Sequence, residues 1–271
     1  MTTPAAFLET FGAPRALIGM IHVGALPGTP AARESVDALV HAAVTEARVY
    51  RDAGYTALMI ENMHDRPYVK GGVGPEIAAA MTAVAREIRR EVQLPLGVQV
   101  LAGANREAIA VAIASGAAFV RAEGFVFAHV ADEGIMESCA GDLLRYRRAM
   151  NADHVRVFVD IKKKHSAHAI TADVSLAETA KAAEFFLADG VIVTGTATGE
   201  PAKASDVDEV AAAVKLPVFV GSGLAPDNYA RFARAHGFIV GSSVKQGGLW
   251  SNALDPAAVR ANAEAFRALG K

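Results

Sequence analysis

Side chains able to move protons or hold anions stand directly after apolar runs at widely separated points of the sequence. They are His22; Glu61 and Asn62; Arg121 and Glu123; Asp160 with Lys162, Lys164 and His165; Thr194 and Thr196; Ser222; and Ser242 with Lys245. Glu61, Glu123 and Asp160 suit a general base or a hard-cation ligand set, and His22 and His165 suit proton transfer near neutral pH. A lysine of this set would instead form a Schiff base if neighbouring cations lowered its pKa. Spacing does not choose among these chemistries. A guanidinium inside a strand needs an anion, so Arg121 either pairs with a carboxylate or grips substrate. The run Lys162-Lys163-Lys164 is either a solvated loop or a phosphate contact. Strict alternation places Asp160 and Lys162 on one face and Ile161 and Lys163 on the other. None of His64, His129, His154 and His168 sits directly at a predicted strand end, and they read as loop or surface histidines.

Two further segments form a matched pair. Val218-Phe219-Val220 stops at Gly221-Ser222-Gly223, and Phe238-Ile239-Val240 stops at Gly241-Ser242-Ser243. Small residues let backbone N–H groups face an anion, and β/α barrels commonly hold a phosphate between the loops after their seventh and eighth strands. Taken singly, each is an ordinary strand-to-helix turn; the pair points to phosphate.

Elements that position these groups can be counted along the chain. Strand-like runs begin at Ala16, Ala57, Leu96, Ala118, Val155, Gly190, Val218 and Phe238. Helical spacing separates them, over 35–52, from Pro75 to about Val92, from Asn105 as a cap to Gly116, and over 173–188, 205–214, 226–235 and 255–269. A long loop, Gly124 to Gly141, follows the fourth strand, where binding residues and lids concentrate. Strict strand–helix alternation implies parallel strands with right-handed connections. A doubly wound open sheet is the alternative. Eight units, with polar or glycine-rich residues at nearly every strand's C-terminal end, favour an α/β fold closed as one (β/α)8 TIM barrel domain over residues 1–271.

Composition excludes several classes. The 271 residues are 52% hydrophobic and 21% charged with net charge −2, which suits buried strands and provides no electrostatic footprint for nucleic acid. A single cysteine, Cys139, excludes an internal disulfide framework and fits a reducing cytoplasm. No export signal opens the sequence, and no stretch reaches the roughly 18 uninterrupted apolar residues of a spanning helix. Walker A, GxSxG, HExxH and Rossmann GxGxxG patterns are missing, which disfavours P-loop and Rossmann-type chemistry.

The sequence resembles the BtpA family, which includes SgcQ-like proteins. The resemblance is carried by Ile18-Gly19-Met20-Ile21-His22 with Leu26-Pro27-Gly28, Glu61-Asn62, Val73-Gly74-Pro75-Glu76 and Ala80-Met81-Thr82. It continues through Asp132-Glu133-Gly134-Ile135, Leu144-Arg145-Tyr146-Arg147, Asp160 with Lys164-His165, Ile192-Val193-Thr194-Gly195, Gly221-Ser222-Gly223 and Gly241-Ser242-Ser243-Val244-Lys245. It implies a ribulose-phosphate-binding-type barrel. The family takes its name from photosystem I biogenesis, while non-photosynthetic relatives look like enzymes of sugar or nucleotide metabolism. Two departures stand out. Ala122-Glu123 replaces the family's Val-Asn after the arginine, and Ile161-Lys162-Lys163 is more basic than usual.

Three expectations follow. The first is an isomerase, epimerase or lyase acting on a small phosphorylated metabolite. Glu61, Asp160, Lys164, His165 and His22 would do its proton chemistry, and Asn62, Arg121, Thr194, Gly221, Ser222, Gly223, Gly241 and Ser242 would bind substrate. The second is a non-catalytic assembly factor. The third is a site for magnesium or another divalent ion on Glu61, Glu123 or Asp160. Outer barrel helices commonly supply subunit contacts, which points to a homo-oligomer.

Overall fold

Apolar runs buried on both faces form most of the strands, which in chain order are β1 (Ala16–His22), β2 (Ala57–Glu61), β3 (Leu96–Gln99) and β4 (Phe119–Ala122). The short β5 (His129–Ala131) and β6 (Gly134–Met136) follow, then β7 (Arg156–Ile161) and the two-residue β8 (Ser166–Ala167). β9 (Gly190–Val193), β10 (Val218–Val220) and β11 (Gly237–Val240) complete the set. In the computed structural model, which describes residues 4–195 and 201–270, eight of these strands close into a barrel. Its order is β1-β2-β3-β4-β7-β9-β10-β11, and β11 returns to β1 through Ala16–Gly19 beside Gly237–Val240. All the barrel pairings are parallel.

The helices end where local chemistry stops them. They are α1 (Ala5–Phe11), α2 (Val36–Ala53), α3 (Pro75–Glu91), α4 (Asn105–Ser115), α5 (Ala140–Ala149), α6 (Leu176–Phe185), α7 (Ala204–Ala213) and α8 (Pro256–Ala268). Ser35 caps α2, and Gly54 closes it in the left-handed region at φ 90°. Ser175 and Glu178 form a reciprocal capping box on α6. That box shortens the helix expected over 173–188.

The barrel interior is filled by pairing large with small. Phe119, Phe158 and Phe219 lie in register with Gly97, Gly190 and Gly237 on the neighbouring strands. A Cβ at Gly97 would fall 2.1 Å from the Phe119 ring and one at Gly237 2.0 Å from the Phe219 ring, so each ring occupies the space its partner leaves empty. Helix α1 closes the N-terminal end. Its Phe11 ring lies 5.4 Å from Phe119, 6.0 Å from Phe158 and 6.1 Å from Phe219. These rings form one buried cluster with Ile18, Met20, Met59, Ile192 and Ile239. A second, larger cluster lies between the barrel and its outer helices. Among the described residues no helix is long and apolar enough to cross a membrane.

Several sequence expectations are corrected. The long loop after β4 contains the β5–β6 hairpin, which pairs with β8 to make a three-stranded antiparallel sheet. This sheet ties the connection after β4 to the connection after β7. Residues 226–235 hold only a 3-10 turn, Tyr229–Phe232. There the Asn228 side chain accepts from Ala225 N at 3.0 Å and donates to Gly223 O at 2.8 Å, capturing the backbone in a turn. Strand β3 stops at Gln99 rather than Leu101. Asn105 does not cap α4. Its amide instead clamps β4, donating to Glu123 O at 2.7 Å and accepting from Glu123 N at 3.1 Å.

Candidate active site at the barrel mouth

The C-terminal ends of the barrel strands open into a pocket of about 550 Å³. His22 and Glu61 line it from β1 and β2, Gln99 from β3, and Arg121 and Glu123 from β4 and the residue after it. Asp160, Lys163, Lys164 and His165 line it from β7 and the segment that follows. Gly221–Gly223 and Gly241–Ser243 form the wall beyond β10 and β11, next to His22. Trp250 and Arg66 stand at the rim with the guanidinium 5.0 Å from the indole centroid, and Asp132 and Glu133 come down from the hairpin turn.

At the floor, three cations meet three carboxylates. Arg121 donates to Asp160 through Nε, at 3.2 and 3.1 Å to its two oxygens, and through Nη2 at 2.9 Å. Both side chains are almost fully buried. Asp160 therefore has both oxygens engaged by Arg121, while still lining the pocket. Lys163 Nζ lies 3.2 Å from Glu123 Oε1, which also accepts from Gln99 Nε2 at 3.2 Å, while Glu123 Oε2 accepts from Gly103 N at 3.0 Å. The two departures from the family pattern thus meet as one ion pair. Glu61 and Lys164 remain, and neither forms an ion pair with the other four.

Burial sets the protonation of what remains. It is the main cause that pushes the Glu61 carboxyl above the usual carboxylate range, against the pull of Arg121 and Lys164. Burial first, then the Arg121 charge, lowers the Lys164 ammonium. His22 is pushed down to about 3, by burial and then by the charge of Lys245. Its Nδ1 lies 3.0 Å from the Trp250 carbonyl, which can only accept, so Nδ1 carries the proton and Nε2 is the basic nitrogen. That Nε2 faces Glu61 Oε2 at 3.7 Å, beyond hydrogen-bond length. Burial drives both groups toward neutral forms, so this contact is not a strong ion pair. The arrangement offers a neutral base beside a carboxyl that favours its protonated form.

The glycine-serine wall differs in detail from the expected nest. Gly221 N donates to Val193 O at 2.9 Å and belongs to the barrel ladder. Its lack of a side chain matters because a Cβ would come 2.8 Å from Ile192 Cγ2. Gly223 takes φ 63°, turning the chain back. The 3-10 turn Ser242–Val244 starts with the amides of Ser242 and Ser243, and first-turn N–H groups find no partner inside their own helix. Ser243 Oγ is buried without a hydrogen-bond partner among the described residues. Gly241 stands directly beside the imidazole, since a Cβ there would be in van der Waals contact with His22 Nε2 at 3.5 Å.

Other expectations move. Asn62 is buried outside the pocket and does not touch substrate space: it donates to Asp65 Oδ2 at 2.8 Å and accepts from Leu101 N at 2.7 Å, holding the ends of β2 and β3 together. Thr194 does not line the pocket, and Thr196 lies outside the described residues. Lys245 is committed to Glu46, with Nζ 2.7 and 2.8 Å from its two oxygens. Lys162 has φ 49°, which ends the strand alternation, and its Nζ donates to Val174 O at 2.5 Å. His165 lines the pocket but is exposed, and His129, read as a surface histidine, is buried. Among the described residues no group of three or more His, Cys, Asp or Glu side chains could hold a metal ion by itself, so a divalent ion on Glu61, Glu123 or Asp160 would need substrate oxygens to complete its shell.

Sequence reading missed Gln99, Trp250 and Arg66. Gln99 had a signal, the last polar residue of a strand read two residues too long. Trp250 had none, because its loop folds back over β1 only in three dimensions.

The BtpA family profile matches residues 13–268. A mitochondrial protein of Caenorhabditis elegans is 50% identical over 244 residues, 88% of each chain. The photosystem I biogenesis protein BtpA of Synechocystis sp. is 34% identical over 260 residues, covering 95% of this chain and 90% of that protein. Among solved structures, (S)-3-O-geranylgeranylglyceryl phosphate synthase from Thermoplasma acidophilum, in complex with sn-glycerol-1-phosphate, aligns with TM-score 0.62 and 15% identity over 99% of this chain and 100% of that one. Phosphoribosyl anthranilate isomerase from Thermus thermophilus aligns with TM-score 0.56 and 13% identity, covering 94% and 100%. These structural likenesses establish the TIM-barrel fold.

Proposed function

The chain belongs to the BtpA family, and from that premise and the pocket we propose that it is an enzyme acting on a small phosphorylated metabolite. The observation that carries this reading is the meeting, in one pocket, of the wall Gly221–Gly223 and Gly241–Ser243 with the His22–Glu61 pair. The wall is placed where β/α barrels hold phosphate, and structural neighbours named for phosphate substrates support that role. Glu61 and His22 exchange a proton with the substrate carbon or oxygen held above them, which serves an isomerase, epimerase or lyase. Lys164 and His165 line the same pocket, and burial lowers the pKa of each, so both favour neutral forms able to exchange protons. Arg121 is held by Asp160 and presents its field to the same space.

A thermal-shift screen of inorganic phosphate, sugar phosphates and nucleotides, each with and without magnesium, tests the reading. At least one phosphorylated compound should raise the melting temperature of the wild type by several degrees at about 100 Kd, equivalent to roughly 3 kcal/mol. Ser242→Glu places a carboxylate in the partly exposed wall and should abolish that shift without unfolding the apoprotein. Uniformly absent shifts would sink the reading. They would favour the assembly role that the name of the Synechocystis relative carries.

A further inference from the structure

Resting on that reading of the pocket, we propose that Lys164 is a covalent catalyst that forms an imine with the carbonyl carbon of an aldehyde or ketone phosphate. Of the three cations at the floor, Arg121 is bound to Asp160 and Lys163 to Glu123. Lys164 lines the same pocket, and among the described residues its Nζ makes no hydrogen bond or ion pair. Lys164 is half-buried at the pocket, unlike Lys245, which is buried and neutralised by Glu46. An amine held in a partly desolvated pocket beside a guanidinium loses its proton more easily, and the neutral amine is the nucleophile.

The surrounding groups complete the chemistry. The Nζ lone pair adds to the carbonyl carbon, and a proton passes from nitrogen to oxygen to give a carbinolamine. Glu61, whose burial favours the protonated carboxyl, donates its proton to that hydroxyl. The C–O bond breaks, water leaves, and an iminium ion and the Glu61 carboxylate remain. The iminium withdraws electrons from the adjacent carbon, so the Glu61 carboxylate left by that step, made more basic by burial, can take a proton from it and leave an enamine. Reprotonation, addition of water and loss of the product restore Lys164. Gln99 Oε1 and Glu133 Oε2 line this space without hydrogen-bond partners among the described residues. As acceptors they fit the hydroxyl groups of a polyhydroxy substrate.

Reductive trapping tests this. The full chain is incubated with dihydroxyacetone phosphate, ribose 5-phosphate or unphosphorylated dihydroxyacetone, reduced with borohydride, and examined by intact mass and peptide mapping. Support is a single adduct on Lys164, carrying the probe through a reduced C–N bond with loss of its carbonyl oxygen. Labelling by dihydroxyacetone phosphate should be at least about tenfold faster than by dihydroxyacetone, because the phosphate raises the local concentration. Lys164→Arg keeps the charge and should lose the adduct while retaining stabilisation by inorganic phosphate. No adduct at Lys164 with any probe overturns the proposal, as does labelling spread evenly over surface lysines such as Lys70 and Lys215. Stabilisation by phosphate without trapping would remove the imine and leave the phosphate site standing. Absence of both would remove the two together.

Discussion

His22 shows how burial converts a common side chain into a specific one. Its Nδ1 proton is fixed by the Trp250 carbonyl at 3.0 Å, and its side chain is 5% exposed. Its folded pKa is depressed to about 3 from 6.5, so the group stabilises the fold above the unfolded value. That contribution declines as pH falls from about 6.5 toward about 3, because the unfolded chain binds the proton that the folded one refuses. Between pH 7 and pH 4 the wild type should lose about 3 kcal/mol more stability than His22→Asn in denaturant titrations. Equal slopes would show that His22 is hydrated and charged. Glu61 has the opposite sign: its pKa is raised, so its relative contribution is present at low pH and lost as pH rises through the folded value.

At the scale of elements, strand ends are fastened by buried amides as well as by the Arg121–Asp160 pair. Asn62 bridges β2 to β3, and Asn105 binds both backbone groups of Glu123 beyond β4. These clamps keep Glu61 and Glu123 aimed at the pocket. Asn105→Ala would leave the Glu123 N–H and C=O without partners at a buried position, costing on the order of 3 kcal/mol. Differential urea unfolding should show that loss, whereas a loss below about 0.5 kcal/mol would mean that water replaces the clamp. The β5–β6 hairpin acts at the same scale. By pairing with β8 it ties Asp132 and Glu133 to the segment holding Lys163, Lys164 and His165.

For the whole molecule, barrel closure depends on matching glycines to phenylalanines across adjacent strands. Gly237 and Phe219 are partners in register, and a Cβ on Gly237 would fall 2.0 Å from Phe219 Cδ1. That position cannot take a methyl group without moving a ring that also contacts α1, where Phe7 lies 5.6 Å from Phe219. Gly237→Ala should therefore destabilise by about 1–3 kcal/mol or more through overpacking. A Tm unchanged within one or two degrees would mean that the interior has slack to absorb it.

Most of this architecture was legible in order of residues. The barrel strands, the helices with glycine or serine punctuation, and the polar strand ends all follow from periodicity and local propensity, which act over a few residues. The expected helix at 226–235 failed because one asparagine side chain competed for the backbone. The hairpin in the 124–141 connection went unseen because its three-residue strands carry too few residues to display a period. Pairing was decided elsewhere. Whether Arg121 met Asp160 or a substrate, whether Asn62 faced the pocket or its wall, and which lysine was left without a carboxylate depended on contacts between residues 39 or more positions apart, as in Arg121–Asp160 and Asn62–Leu101. Local preference determines which elements form. Only closure of the barrel brings their ends together, and there burial and charge select the groups that remain available for chemistry.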